Sequence, residues 1–171
     1  MARTKKNQVQ ELRFDEKLVL FKFMQRELGI TDMKLLARQM NLPEEEGINE
    51  STGNTLFIEY FFKQPGCRIP ETKLRVYDEN IRRYTQKIGE NRGGLTWKYF
   101  QYLSLLFTEI YLDRWFSDKE SFQQELTDFL HDEDDRTLGQ IGFQDFDLAK
   151  MNKLAYMSAT GSGKTLILHV N

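Results

Sequence analysis

The chain has 171 residues, room for one domain of ordinary size or a small domain with a piece of another. Lys and Arg total 24 against 26 Asp and Glu, a balance without the global basic field of a compact nucleic-acid-binding domain. Hydrophobic residues at 40% exclude disorder for most of the chain, and the lone Cys67 excludes an internal disulfide and fits a reducing, cytoplasmic setting.

Met1 to Gln10 is polar, without the apolar stretch of a secretory signal, and residues 1–13 read as a flexible basic arm carrying Arg3, Lys5 and Lys6. From Phe14 onward, Leu18, Phe21, Met24 and Leu28 recur at three- and four-residue spacing, a helix that Gly29 stops. Thr31 is placed to cap a second helix over Asp32 to Met40, ended by Asn41 and Pro43. Residues 43–54, with Glu44, Glu45 and Glu46 in a row, read as a solvated loop, because no converging ligands complete a metal site. Leu56 to Phe62 reads as a short helix among helices. Beyond Pro65, Gly66 and Pro70, the residues Leu74, Tyr77, Ile81, Tyr84 and Ile88 form one helical stripe that Gly89 ends. Gly93 and Gly94 then turn the chain. Between Trp97 and Phe116 apolar residues cover nearly the whole circumference, as in a helix central to a bundle. Lys98, Glu109, Asp113 and Arg114 interrupt that stretch, so it is not expected to span a membrane. Ser117 and Glu120 form a capping-box pattern before a last helix, with Phe122, Leu126, Phe129 and Leu130 on its buried face. Residues 14–131 thus read as a helical domain of five or six helices, whose aromatics pack a core rather than stack on bases. The acidic run Asp132 to Asp135 opens a break, and 132–150 reads as a linker.

Residues 151–171 differ in kind. The short apolar run around Leu154 to Met157 precedes Thr160-Gly161-Ser162-Gly163-Lys164-Thr165, and Leu166, Ile167 and Leu168 follow at helix-compatible spacing. That order is the strand, glycine-rich loop and helix of a P-loop. Gly161 and Gly163 let the backbone curl so that successive N–H groups converge on phosphate oxygens. Lys164 can reach the β- and γ-phosphates of ATP, and the Thr165 hydroxyl is placed to ligate Mg²⁺. The strict pattern has Gly or Ala five residues before Gly163, where this chain has the nearly as small Ser158. The expected fold class is therefore mainly α: a helical bundle followed by the first strand, P-loop and helix of a RecA-like α/β domain.

The run Ala159-Thr160-Gly161-Ser162-Gly163-Lys164-Thr165 resembles motif I of superfamily 2 helicases and translocases, closest to the DEAD/DEAH-box motor subunits of type III and type I restriction enzymes. The stretches Lys73 to Tyr84 and Tyr99 to Arg114 resemble, in character, the helical leader before motif I in bacterial restriction- or defence-type helicases. The resemblance implies an ATP-dependent DNA helicase or translocase, with DNA and possible methyltransferase or specificity subunits as partners. It also implies a glutamine that reads adenine upstream of motif I. Gln140 and Gln144 lie in that region, but without the family's surrounding residues, and read as solvated loop. Only six residues follow Thr165, too few for the acid pair that holds Mg²⁺ and orients water. The expectation is an N-terminal region of a larger motor, inactive as an ATPase by itself, whose residues 151–171 are poorly ordered or packed otherwise than in the complete domain. The alternative is a helical interaction module that binds a partner subunit or DNA. Glu71-Thr72-Lys73 has the E-x-K shape of a restriction nuclease but lacks the upstream Asp, and His131 and His169 read as structural.

Overall fold

The computed structural model describes residues 12–42, 44, 46–90, 94–137, 139–157 and 161–170. Its order is a 3-10 turn (Phe14–Lys17), then α1 (Val19–Glu27), α2 (Met33–Met40), α3 (Leu56–Phe62), α4 (Glu71–Gly89), α5 (Tyr99–Ser117), α6 (Lys119–Arg136) and α7 (Lys164–Val170). The protein is mainly α, and the strand expected before the glycine-rich turn is not formed. Residues 153–157 are coil, and the described residues hold no strand, only an isolated bridge between Ile48 and Thr55. A strand exists only with a ladder partner, and this stretch lies instead along α5.

The first helix starts later than its periodicity predicts, because the chain turns at Leu18 before α1 begins. Gly29 stops the helix as expected, at φ 69°. A Cβ there would lie 2.7 Å from both Cys67 N and Pro65 O, so the site requires glycine for conformation and for close backbone approach. Two caps differ from expectation. Asp32, not Thr31, caps α2, its carboxylate accepting from Lys34 N at 2.7 Å and Leu35 N at 3.2 Å. Asp118, not Ser117, caps α6, accepting from Ser121 N at 2.9 Å, while Ser117 closes α5. In both places a carboxylate beats the neighbouring hydroxyl, since it brings full charge to the positive end of the helix.

α5 is the central helix, as its all-round apolarity predicts: Leu103, Leu105, Leu106 and Ile110 are buried, and α4, α6 and α7 pack around it. Phe23 of α1 meets Phe122 and Phe129 of α6 at 5.9 and 5.6 Å between ring centroids, joining α1 to α6. The α4 stripe is buried at Leu74, Tyr77 and Ile81 and half-buried at Ile88, but Tyr84 is exposed. The acidic run is no break: α6 continues through it to Arg136, because Glu133 turns inward and pairs with Lys22 of α1 at 2.9 Å and with Arg136 at 2.7 Å.

Two buried carboxylates organise the polar contacts of the core. Asp78 of α4, wholly buried, accepts from Thr55 Oγ1 and Tyr102 Oη at 2.5 Å each on Oδ1, and from Arg82 Nε at 3.0 Å and Thr55 N at 3.1 Å on Oδ2. Burial, and then the Asp78 charge, hold the Tyr102 hydroxyl well above the ordinary tyrosine range, so it stays a donor. Glu27 of α1 accepts from Arg114 at 2.8 Å and Arg26 at 3.2 Å. Asp78→Ala removes the acceptor and leaves Thr55 N–H and Tyr102 O–H buried without it; the expected loss is about 3 kcal/mol in urea unfolding. Glu71→Ala, which breaks an exposed pair with Arg75, should stay within about 0.5 kcal/mol of the parent chain.

Candidate nucleotide-binding turn

After α6 the chain doubles back over the helices. Asp134 Oδ1 accepts from Ile141 N at 3.0 Å and Gly142 N at 3.1 Å, turning the chain at the end of α6. Gln123 Nε2 donates to Phe146 O at 2.6 Å, and His131 Nε2 lies 2.6 Å from Asp145 Oδ1. His131 thus has a partner that its sequence spacing did not reveal, and Asp145, through its hydrogen bond and charge, raises the imidazole pKa above the ordinary 6.5. Ile141 is buried within the stretch expected to be a linker, and Met151 is buried just after it, so the returning chain is partly docked on the bundle. The Tyr111 hydroxyl, its pKa pushed up to about 12 by burial, donates to Met151 O at 2.5 Å. Tyr156 and Thr108 are joined through their hydroxyls.

Of the six expected site residues, Thr160 lies outside the described residues, as do Ser158 and Ala159. The other five form the turn and the first two residues of α7. Gly161 and Gly163 stand at φ 80° and 83° on either side of Ser162, conformations that only glycine adopts readily. Gly163 O accepts from Leu166 N at 2.9 Å and Ile167 N at 3.1 Å and so starts α7. Lys164 and Thr165 are exposed at the start of that helix, and Ile167 is buried where α7 packs on α4 and α5. Residues 161–170 are therefore packed on the helical body rather than on a sheet.

Gln101 of α5 reaches the turn, its Nε2 donating to Ser162 O at 2.8 Å. The Ser162 hydroxyl is buried with no hydrogen-bond partner among the described residues. It borders a cleft of about 690 Å³ between α1, α5 and the returning segment, walled by Phe21, Met24, Leu103, Phe107, Phe146 and Leu154. Lys17, Tyr99, Ser104 and Tyr156 are among the few polar side chains on that wall.

The other residues singled out from sequence do not join the turn. Gln140 accepts from Leu12 N at 3.2 Å through Oε1, and Gln144 is exposed. The two charged ends of the E-x-K triplet diverge, Glu71 to Arg75 and Lys73 to Asp113 at 2.6 Å. The side chain of His169 lies outside the described residues. Sequence reading missed Gln101, Thr108 and Tyr111, although a polar residue on a helix otherwise apolar all round is a signal that its contacts are specific. No helix among the described residues is long and apolar enough to cross a membrane, and no group of three or more His, Cys, Asp or Glu side chains is disposed to hold a metal ion. The chain matches no protein-family model, no curated protein and no solved structure.

Asp145→Asn is expected to return the His131 pKa toward 6.5, followed by NMR titration of the ring protons. A raised folded-state pKa means that the pair's contribution to stability is complete below the unfolded pKa and is lost as pH rises through the folded value. An unmoved His131 titration in the variant would refute the pairing.

Proposed function

We propose that this chain is the N-terminal region of an ATP-dependent DNA helicase or translocase, in which residues 161–165 bind the triphosphate and the helices form a leader. The observation that carries the reading is the pair of left-handed glycines flanking Ser162, directly before a helix that opens on exposed Lys164 and Thr165. Such a turn gathers backbone N–H groups into an anion-binding concavity. The residues present fit the ligand in kind: backbone amides, an ammonium for the β- and γ-phosphates and a hydroxyl for Mg²⁺.

In this reading Gly161, Ser162, Gly163 and Thr160 line the phosphates, Lys164 neutralises their charge, and Thr165 Oγ1 holds Mg²⁺. When bound, Mg²⁺ draws negative charge from the phosphate oxygens. The chain's own part is to bind and orient. Hydrolysis needs in addition an acid pair that holds Mg²⁺ and orients water, and the activity proposed for this chain by itself is binding. The likeness of Ala159–Thr165 to motif I of restriction-enzyme motors supports DNA as the track, and methyltransferase or specificity subunits as companions.

Equilibrium titration of the chain with a fluorescent ATP analogue and Mg²⁺ tests the reading. Lys164→Ala is expected to weaken binding tenfold or more, about 1.4 kcal/mol or above, with a melting temperature close to that of the parent because the residue is exposed. Equal affinity in the two proteins would overturn the assignment.

A further inference from the structure

Gln101 uses both ends of its amide. Oε1 accepts from Lys98 N at 2.9 Å and Nε2 donates to Ser162 O at 2.8 Å. The first bond needs an acceptor and the second a donor, so the orientation of the amide is fixed by its partners. We infer that Gln101 is a positioning residue for the glycine-rich turn, fixing the plane of the Ser162–Gly163 peptide; the inference rests on the triphosphate reading above.

The argument starts from the freedom of the turn itself. Glycine on both sides of Ser162 makes φ > 0 accessible, and it also makes rotation of the intervening peptide planes cheap. A turn that must present N–H groups to an anion therefore needs a restraint from outside. All described peptide bonds are trans, so C=O and N–H point in opposite directions across each plane. Holding Ser162 O against α5 consequently turns Gly163 N–H away from α5, toward the open side of the turn. A Cβ at Gly163 would run into Gln101 Nε2, so the glycine also leaves room for the side chain that restrains it. Gln101 itself is held by the first turn of the central helix. Orientation is thus settled before ligand arrives, and less ordering is left to oppose binding.

Three variants of the full chain separate this role from a merely structural one. Gln101→Met keeps length but can neither accept from Lys98 N nor donate to Ser162 O. Gln101→Lys also loses the Lys98 contact but keeps a donor that reaches Ser162 O. Both should lower the melting temperature by a similar amount. Binding of the fluorescent ATP analogue is measured at about 0.5 M salt, where the added charge of the lysine is largely screened. There Gln101→Met should weaken binding about fivefold, the worth of one hydrogen bond, whereas Gln101→Lys should stay within about twofold of the parent. Parent-like affinity in Gln101→Met, or equal losses in both variants, would overturn the inference. Lys164→Ala supplies the third arm. If it abolishes binding while Gln101→Met does not weaken it, the triphosphate reading stands and this one falls; if neither variant weakens binding, both fall.

Discussion

The Asp78 carboxylate is the constraint around which the bundle is arranged. A charge removed from water is tolerated only when its lone pairs are taken up by donors, and here the donors come from three parts of the chain. Thr55, the cap of α3, gives its hydroxyl and its N–H; Arg82, one turn along α4, gives Nε; Tyr102 on α5 gives its phenol. The Thr55 hydroxyl in turn accepts from Ile58 N at 3.2 Å, so the first turn of α3 is tied to the same centre. This matters most for α5. Burial of apolar surface is non-directional, and a helix that is apolar all round gains little preference for one rotation over another. The Tyr102 bond supplies that preference.

A second polar junction works at the other end of α5. Glu27, nearly all of it buried at the end of α1, meets Arg114 of α5, which also holds Glu125 of α6 at 3.1 Å. Arg26 beside it lies 4.6 Å from the ring centres of both Phe23 and Phe129, so its charge faces Glu27 while its plane covers the aromatic contact between α1 and α6. The arrangement uses arginine where a carboxylate needs two partners and an aromatic edge needs cover. Between them, the two junctions place α1, α3, α4 and α6 around α5, and the apolar residues fill what lies between.

How much of this was legible in the sequence depended on the range of the interaction. Helix positions follow from short-range periodicity, and α2 through α6 lie close to where the spacing of Leu, Phe and Ile puts them. The caps were less legible, because Thr31 and Asp32, or Ser117 and Asp118, are adjacent residues that both qualify, and the periodicity of the apolar residues does not resolve a shift of one position in where the helix starts. The acidic run at the end of α6 was misread for a different reason. Four consecutive residues from Asp132 to Asp135 suggest solvent, but one of them, Glu133, has Lys22 waiting 111 positions upstream. Of the turn itself, the two glycines could be anticipated in their left-handed conformations, since that residue type in that spacing has few other uses. The strand could not form from its own residues, because its hydrogen bonds belong to neighbours.

The bonds to the returning segment give α5 a second face that apolarity concealed. Gln101, Thr108 and Tyr111 lie on one side of the helix, at spacings of seven and three residues, and their partners are Ser162, Tyr156 and Met151. Read along α5 from its start, the partners run backwards in sequence, so the segment lies antiparallel to the helix. A tyrosine or threonine counts as neutral in an amphipathicity pattern, yet its hydroxyl is directional once buried, and this is why the face escaped notice. Gln101 and Tyr102 are neighbours on the first turn of α5. One points its amide to the glycine-rich turn and the other its phenol to the buried carboxylate. The turn is consequently attached to α5 one residue away from the tyrosine that binds the buried carboxylate.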